Sequence, residues 1–134
     1  MSVLEVKNIK KNFGKTEVLK GISFSLEKGE VLSIIGSSGS GKTTLLRCLN
    51  FLEKPTSGSI IFEGTDITNS SEKELNLMRQ KMGMEFQHFN LFANLSIINN
   101  ITLAPVKLKL MTKEEAEAKA EELLKKVGLL DKAY

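Results

Sequence analysis

A single cysteine, Cys48, stands in a chain of 134 residues, which excludes an intramolecular disulfide and fits a reducing compartment. The one histidine, His88, has no partnered Ser, Cys or metal-ligand cluster in view, so it reads as an exposed loop residue. No run approaches the about 20 apolar residues that a membrane helix requires, so any link to a membrane is expected to run through a partner. Met1 leads into an alternating pattern instead of a basic start and an apolar core, so no secretory signal is expected and a cytoplasmic location is. Blocks of like charge are also missing: 19 basic and 16 acidic residues are interspersed. The clearest basic excess is Lys7, Lys10, Lys11, Lys15 and Lys20 against Glu5 and Glu17. Mixed charge of this kind is the ordinary way to stay soluble, and no nucleic-acid partner is expected. Internal repeats and low-complexity linkers are absent.

What remains is close to globular averages, with 41% hydrophobic and 26% charged residues, enough for one domain and no more. Val3, Glu5 and Lys7 alternate with Leu4, Val6 and Asn8 as in a half-buried strand. Val18 to Leu26 reads similarly, with breaks at Phe13-Gly14 and Gly21, and the pair is expected to form antiparallel edge strands. After a turn at Glu27-Lys28-Gly29, Val31 to Ile35 is short, β-rich and nearly all apolar, the pattern of a strand buried on both faces. From Lys42 the period becomes helical, with Leu45, Cys48, Leu49 and Leu52 on one face and Cys48 as a small buried hydrophobe.

Pro55 to Gly58 predicts a turn and Ser59 to Phe62 a strand. Ser71 with Glu74 has the spacing of a capping box, predicting a short helix to about Arg79. Met82 to Phe86 reads as a strand, and Gln87 to Pro105 as an apolar but irregular stretch. Thr112 with Glu115 forms a second capping box, followed by a helix with Ala116, Ala120, Leu123, Leu124 and Val127 on one face and Gly128 as its stop. Strands first, then strand, glycine-rich loop and helix, make an α/β assembly.

The chemistry lies in Gly36-Ser37-Ser38-Gly39-Ser40-Gly41-Lys42-Thr43, which matches the Walker A pattern of G, four residues, then G, K and S or T. Chance would place that pattern in a chain this long in roughly 0.5% of cases. Each residue type follows from the task of holding a triphosphate. Glycines let the backbone close around phosphate oxygens and aim its N–H groups inward, and a helix N-terminus adds partial positive charge. Lys42 supplies a mobile full charge for the β and γ phosphates, and Thr43 offers a hydroxyl to Mg2+.

With that loop placed, the surroundings resemble the ATP-binding subunits of ABC transporters over the whole chain. Val18 to Phe24 ahead of Glu27-Lys28-Gly29-Glu30 is similar to the family's lead into its P-loop, and Lys11-Asn12-Phe13-Gly14 to its A-loop. The resemblance makes Phe13 the aromatic that stacks on adenine, with Val18 packing nearby, and Gly36, Ser37, Ser38, Gly39, Ser40, Gly41, Lys42, Thr43 and Thr44 the nucleotide-binding run. Met82 to Gln87, followed by His88 to Phe92, looks like the Q-loop. Gln87 is the matching glutamine, expected to reach Mg2+ and the attacking water, so that Lys42 and Gln87 carry catalysis and Thr43 and Gln87 the metal. The Q-loop wording, Cys48-Leu49-Asn50 and the segment from Asn94 to Pro105 are most similar to the polar amino acid uptake branch.

The resemblance implies ATP and Mg2+ as cofactors, a second ATP-binding subunit as homodimer partner, and transmembrane permease subunits docked through the Q-loop region. It implies a peripheral place on the inner face of the cell membrane. The expected architecture is a P-loop NTPase core of ABC type with an antiparallel β subdomain and the start of a helical subdomain. Residues 1–134 then form the N-terminal part of the ATP-binding domain, with 1–87 as β subdomain and P-loop core and 88–134 as Q-loop and helical start. Two departures stand out. Glu85 occupies a position where the family has an apolar residue, so it is expected to be paired, exposed or protonated. The chain reaches Tyr134 without an LSGGQ-like signature or Walker B, so these 134 residues alone are expected to bind ATP without hydrolysing it. A nucleotide-binding module without hydrolysis, and a non-transport or nucleic-acid-associated P-loop protein, are the competing functions.

Overall fold

Two long strands open the chain, β1 (Ser2–Phe13) and β2 (Thr16–Glu27), joined by a tight turn at Gly14-Lys15. They pair antiparallel from Ser2 with Glu27 to Phe13 with Thr16. β3 (Ser57–Phe62) pairs with the other side of β1, and the short β4 (Thr65–Asp66) follows it, giving the order β2-β1-β3-β4. β2 is therefore an edge strand as expected, but β1 is central. The computed structural model describes residues 1–134, which form two compact units, Met1–Met84 and Glu85–Tyr134.

Alternation along β1 slips in its middle. Leu4 and Val6 are buried, and the next buried side chain is Ile9, not Asn8. Asn8 has φ of 50°, and the register shifts between Val6 and Ile9 against β2 and between Lys7 and Lys10 against β3 show a bulge there. Glycines flank it on either side. A Cβ on Gly21 of β2 would sit 2.7 Å from Asn8 Oδ1, and one on Gly58 of β3 would sit 2.4 Å from the Asn8 carbonyl oxygen. Gly21 is thus the bulge's neighbour within a continuous strand and not a break. The bulge re-aims the second half of β1, residues 10–13.

α1 (Lys42–Leu49) buries Leu45 and Cys48 against the sheet's apolar residues Leu4, Val6, Ile9, Leu19, Ile60 and Phe62. Leu49 packs beside them, but Leu52 lies beyond the helix and is about half exposed, because the chain turns at Asn50 and Phe51 has φ of 58°. α2 (Glu72–Arg79) begins at the expected capping box: the Ser71 side chain accepts from the Glu74 N–H at 3.3 Å and the Ser71 N–H donates to the Glu74 carboxylate at 2.8 Å. Leu75 and Met78 complete the core. Arg79, at the end of α2, donates to the carbonyls of Asn50 (2.9 Å) and Phe51 (2.8 Å), satisfying oxygens at the C-terminal end of α1.

Two expected strands are not formed. Residues 31–35 carry no strand pairing and are exposed, Val31 and Ile35 almost fully at 93% and 95%. Residues 82–86 are likewise unpaired. An apolar β-rich run supplies propensity, but a strand exists only through hydrogen bonds to a neighbour. Within these 134 residues no strand lies beside either run. Glu85 is exposed and so avoids the desolvation penalty of a buried carboxylate.

The second unit is helical. The stretch read as irregular contains α3 (Ile97–Lys107), whose Ser96 side chain accepts from the Asn99 N–H at 3.3 Å. α4 (Lys113–Lys126) starts at the second capping box, with Thr112 and Glu115 bonded reciprocally. Ala116, Ala120 and Leu124 are buried, whereas Leu123 and Val127 are exposed, so the apolar stripe is narrower than the sequence implied. Gly128 ends α4 in the left-handed region, with its N–H on Lys125 O (3.1 Å) and the Leu129 N–H on Leu124 O (2.8 Å), a Schellman motif. Ile98, Ala120, Leu124 and Ala133 form this unit's own core.

Candidate phosphate-binding site

The four α-helices differ at their starts. α2, α3 and α4 are each capped by a hydroxyl side chain, Ser71, Ser96 and Thr112, and α2 and α4 carry acidic residues in the first turn. α1 has neither. Its N-cap is Gly41, in the left-handed region at φ 100°, and the first backbone bond into the helix is Leu45 N–H to Gly41 O at 2.9 Å. The N–H groups of Gly41, Lys42, Thr43 and Thr44 consequently have no acceptor in the chain. Free donors and the positive end of the helix dipole converge on one place, which suits an anion.

The loop from Gly36 is shaped to keep that place open. Ser40 N–H bonds to Ser37 O at 3.1 Å, and Gly39 adopts φ of 78°. A Cβ on Gly36 would sit 2.6 Å from Ser40 Oγ. A Cβ on Gly41 would press on Val18 Cγ1 at 3.1 Å and on the Val18 carbonyl at 3.3 Å, so Val18 of β2 backs the loop at its junction with α1. The Lys42 ammonium folds over the loop and donates to the carbonyls of Gly36 and Ser37, the latter at 2.9 Å. Residues 31–40 are exposed throughout, as is Thr43.

A divalent cation would find few protein ligands here, since nowhere does the chain gather three His, Cys, Asp or Glu residues that could hold one. One exposed threonine hydroxyl beside a phosphate seat is nevertheless a donor set that fits Mg2+, which prefers few protein oxygens together with phosphate oxygens and waters.

Phe13 lies at the end of β1, 46% exposed, with the Lys11 ammonium 4.9 Å from the centre of its ring. In the sequence Lys11 stands out as one of a basic excess and as the first residue of Lys11-Asn12-Phe13-Gly14, with no role of its own assigned; its place two residues before Phe13 on the same strand is the available signal. Gln87 lies in an exposed bend and belongs to the Glu85–Tyr134 unit, the phosphate loop to Met1–Met84. His88 is exposed beside it. Phe89, Leu91 and Phe92 are exposed at 85%, 64% and 57%, and Asn100 pins their loop by accepting from Phe92 N–H at 2.8 Å. Cys48 is fully buried, and burial pushes its thiol pKa up, which makes it a core residue and not a nucleophile. No helix is long and apolar enough to cross a membrane.

Comparison with known proteins agrees with this geometry. The model of the family described as ABC transporter matches residues 19–134. The arginine transport ATP-binding protein ArtM of Bacillus subtilis is 49% identical over 130 residues, covering 97% of this chain and 54% of that protein. The glutamine transport ATP-binding protein GlnQ of Escherichia coli is 47% identical over 132 residues, covering 98% and 55%. The chain spans about half the length of these curated relatives. Among solved structures, a dimeric post-hydrolysis state of the ATP-binding cassette MJ0796, bound to ADP and Pi, matches with a TM-score of 0.80 at 35% identity, over 91% of this chain and 56% of that one. The antiparallel sheet, the glycine-rich loop and the helices are thus those of an ABC-type cassette, and the match over residues 19–134 establishes that the chain belongs to the ABC transporter family.

Proposed function

We propose that Gly36 to Thr44 seat the phosphates of ATP, and that in the whole protein this binding and its hydrolysis energise the import of a polar amino acid. The observation that carries the reading is the start of α1, where four successive N–H groups lack acceptors while the other α-helices are capped. In this reading the backbone N–H groups of the loop bond phosphate oxygens, and the Lys42 ammonium neutralises the β and γ phosphates from its position across Gly36 and Ser37. Thr43 and Gln87 are assigned to Mg2+, which when bound would offset charge on the phosphates, and Gln87 also to orienting water through its amide. Phe13 is assigned as the adenine platform, and Val18, which backs the loop at Gly41, to the same nucleotide seat.

The names of ArtM and GlnQ, transport ATP-binding proteins for arginine and glutamine, support the amino acid branch. The dimeric state of MJ0796 supports a homodimer for the whole protein. We assign permease contact, and with it a peripheral place on the inner membrane face, to the exposed Phe89, Leu91 and Phe92 beside Gln87, because exposed apolar clusters mark interaction sites. Residues 1–87 are assigned to the β subdomain and P-loop core and 88–134 to the Q-loop and helical start.

Titration calorimetry with MgATP and with inorganic triphosphate separates the base seat from the phosphate seat. Phe13→Ala is expected to weaken ATP by about 1 to 3 kcal/mol, the worth of one base–aromatic stack, and to leave triphosphate unchanged. Equal weakening of both ligands would remove Phe13 from the site.

A further inference from the structure

Lys11 is the most tightly held lysine near the site, its side chain only 13% exposed. Its ammonium donates to Lys54 O at 2.8 Å, pairs with Glu53 Oε1 at 3.0 Å and lies over the Phe13 ring at 4.9 Å. Glu53 and Lys54 belong to the loop that leaves α1, and the Glu53 N–H is itself bonded to Arg47 O of α1 at 3.0 Å. The same end of β1 is stitched to the entry of β3 by Thr56 N–H to Lys10 O (2.8 Å) and Asn12 N–H to Thr56 Oγ1 (2.9 Å). A continuous chain of contacts therefore runs from the Phe13 ring through Lys11 to the helix whose other end carries the phosphate loop.

We propose that Lys11 is a positioning residue for the base: its ammonium, fixed on the exit loop of α1, holds one face of the Phe13 ring and presents the exposed remainder at a set distance from the phosphate seat. The inference rests on the reading of Phe13 as the adenine platform. A cation over a ring is attracted to its face, and a nearly buried lysine with two oxygen partners gives that attraction a fixed origin. A flexible phenylalanine at the end of a hairpin would otherwise lose rotamer freedom on each binding event, so holding it beforehand favours affinity.

The test compares MgATP with inorganic triphosphate by calorimetry on the wild type and on Lys11→Met, Lys11→Arg, Glu53→Gln and Phe13→Ala. Lys11→Met should weaken ATP by about three- to tenfold, within the range of one cation–π contact, and leave triphosphate affinity unaltered. Lys11→Arg should retain wild-type ATP affinity, and Glu53→Gln, which keeps the lysine stem in place, should show a smaller loss confined to ATP. Equal loss of ATP and triphosphate in Lys11→Met and Glu53→Gln would make Lys11 a structural tie only, and no loss of ATP in either would overturn the proposal outright. Phe13→Ala separates the two readings. If it weakens ATP selectively while the Lys11 and Glu53 variants do not, the Lys11 proposal alone falls; if it weakens both ligands equally, the platform falls and the proposal with it.

Discussion

Replacing Lys42 with alanine is expected to weaken MgATP by about 10- to 100-fold, since hydrogen bonds to charged groups are worth about 1.5 to 3 kcal/mol and each 1.4 kcal/mol is tenfold. The lysine's partners now are the carbonyls of Gly36 and Ser37, in a stretch where every residue is exposed. Its removal therefore leaves no buried charge and no cavity in the core of Leu45, Cys48 and their neighbours. Stability should change by less than about 1 kcal/mol, as for surface substitutions in general. What is lost is the one full positive charge that crosses the loop, so the effect should grow with the number of phosphates: largest for ATP and triphosphate, smaller for ADP. Calorimetry on the folded variant checks this, and equal affinities of variant and wild type would remove Lys42 from the site.

Gly58→Ala should produce the largest loss of stability of any single methyl added to this chain, about 3 to 5 kcal/mol, in the range reserved for severe backbone conflicts. Gly58 sits at φ 97°, where an L side chain is strained, and its Cβ would lie 2.4 Å from Asn8 O and 2.7 Å from both Asn8 C and Lys7 O. These are backbone atoms of the central strand, which cannot swing aside as a side chain would. On the other flank of β1 there is little room to retreat, since even a Cβ on Gly21 would come within 2.7 Å of Asn8 Oδ1. Gly64→Ala is the matched control: φ is 79° but nothing lies within 4 Å of the added atom. It should cost only about 1 to 2 kcal/mol, the left-handed strain of one residue. Urea unfolding of the three proteins reads the difference, and a Gly58 variant as stable as the Gly64 one would mean that the bulge at Asn8 is not tightly fitted.

The features legible in the sequence are those whose chemistry is local. Ser71 with Glu74 and Thr112 with Glu115 specify helix starts through hydrogen bonds between residues three apart, and both boxes are formed. The glycine-rich loop, with its left-handed Gly39 and Gly41, is equally local. Strands are not, because 31–35 and 82–86 have strand composition without a strand beside them. The bulge at Asn8 depends on having glycines on two other strands and leaves no mark on β1 beyond the delayed burial of Ile9. α3 was hidden by Pro105, which a helical reading treats as a breaker; it falls in the last turn, where the residues it affects are few. For the candidate site, the loop and Phe13 were legible as a motif. The tie from Lys11 to Glu53 and Lys54 was not, because it joins residues more than 40 positions apart.

Amide chemical shifts during titration with MgADP test the phosphate seat most directly, since they report on the N–H groups proposed to hold it. The largest changes are expected at Gly41, Lys42, Thr43 and Thr44, whose N–H groups have no acceptor in the chain, with lesser ones at Gly39 and Phe13 and little at the capped starts of α2 and α4. Binding with its largest shifts elsewhere, for example in the groove between β4 and α2 lined by Asp66, Leu77 and Met78, or saturating MgADP with no shift at the start of α1, would contradict it.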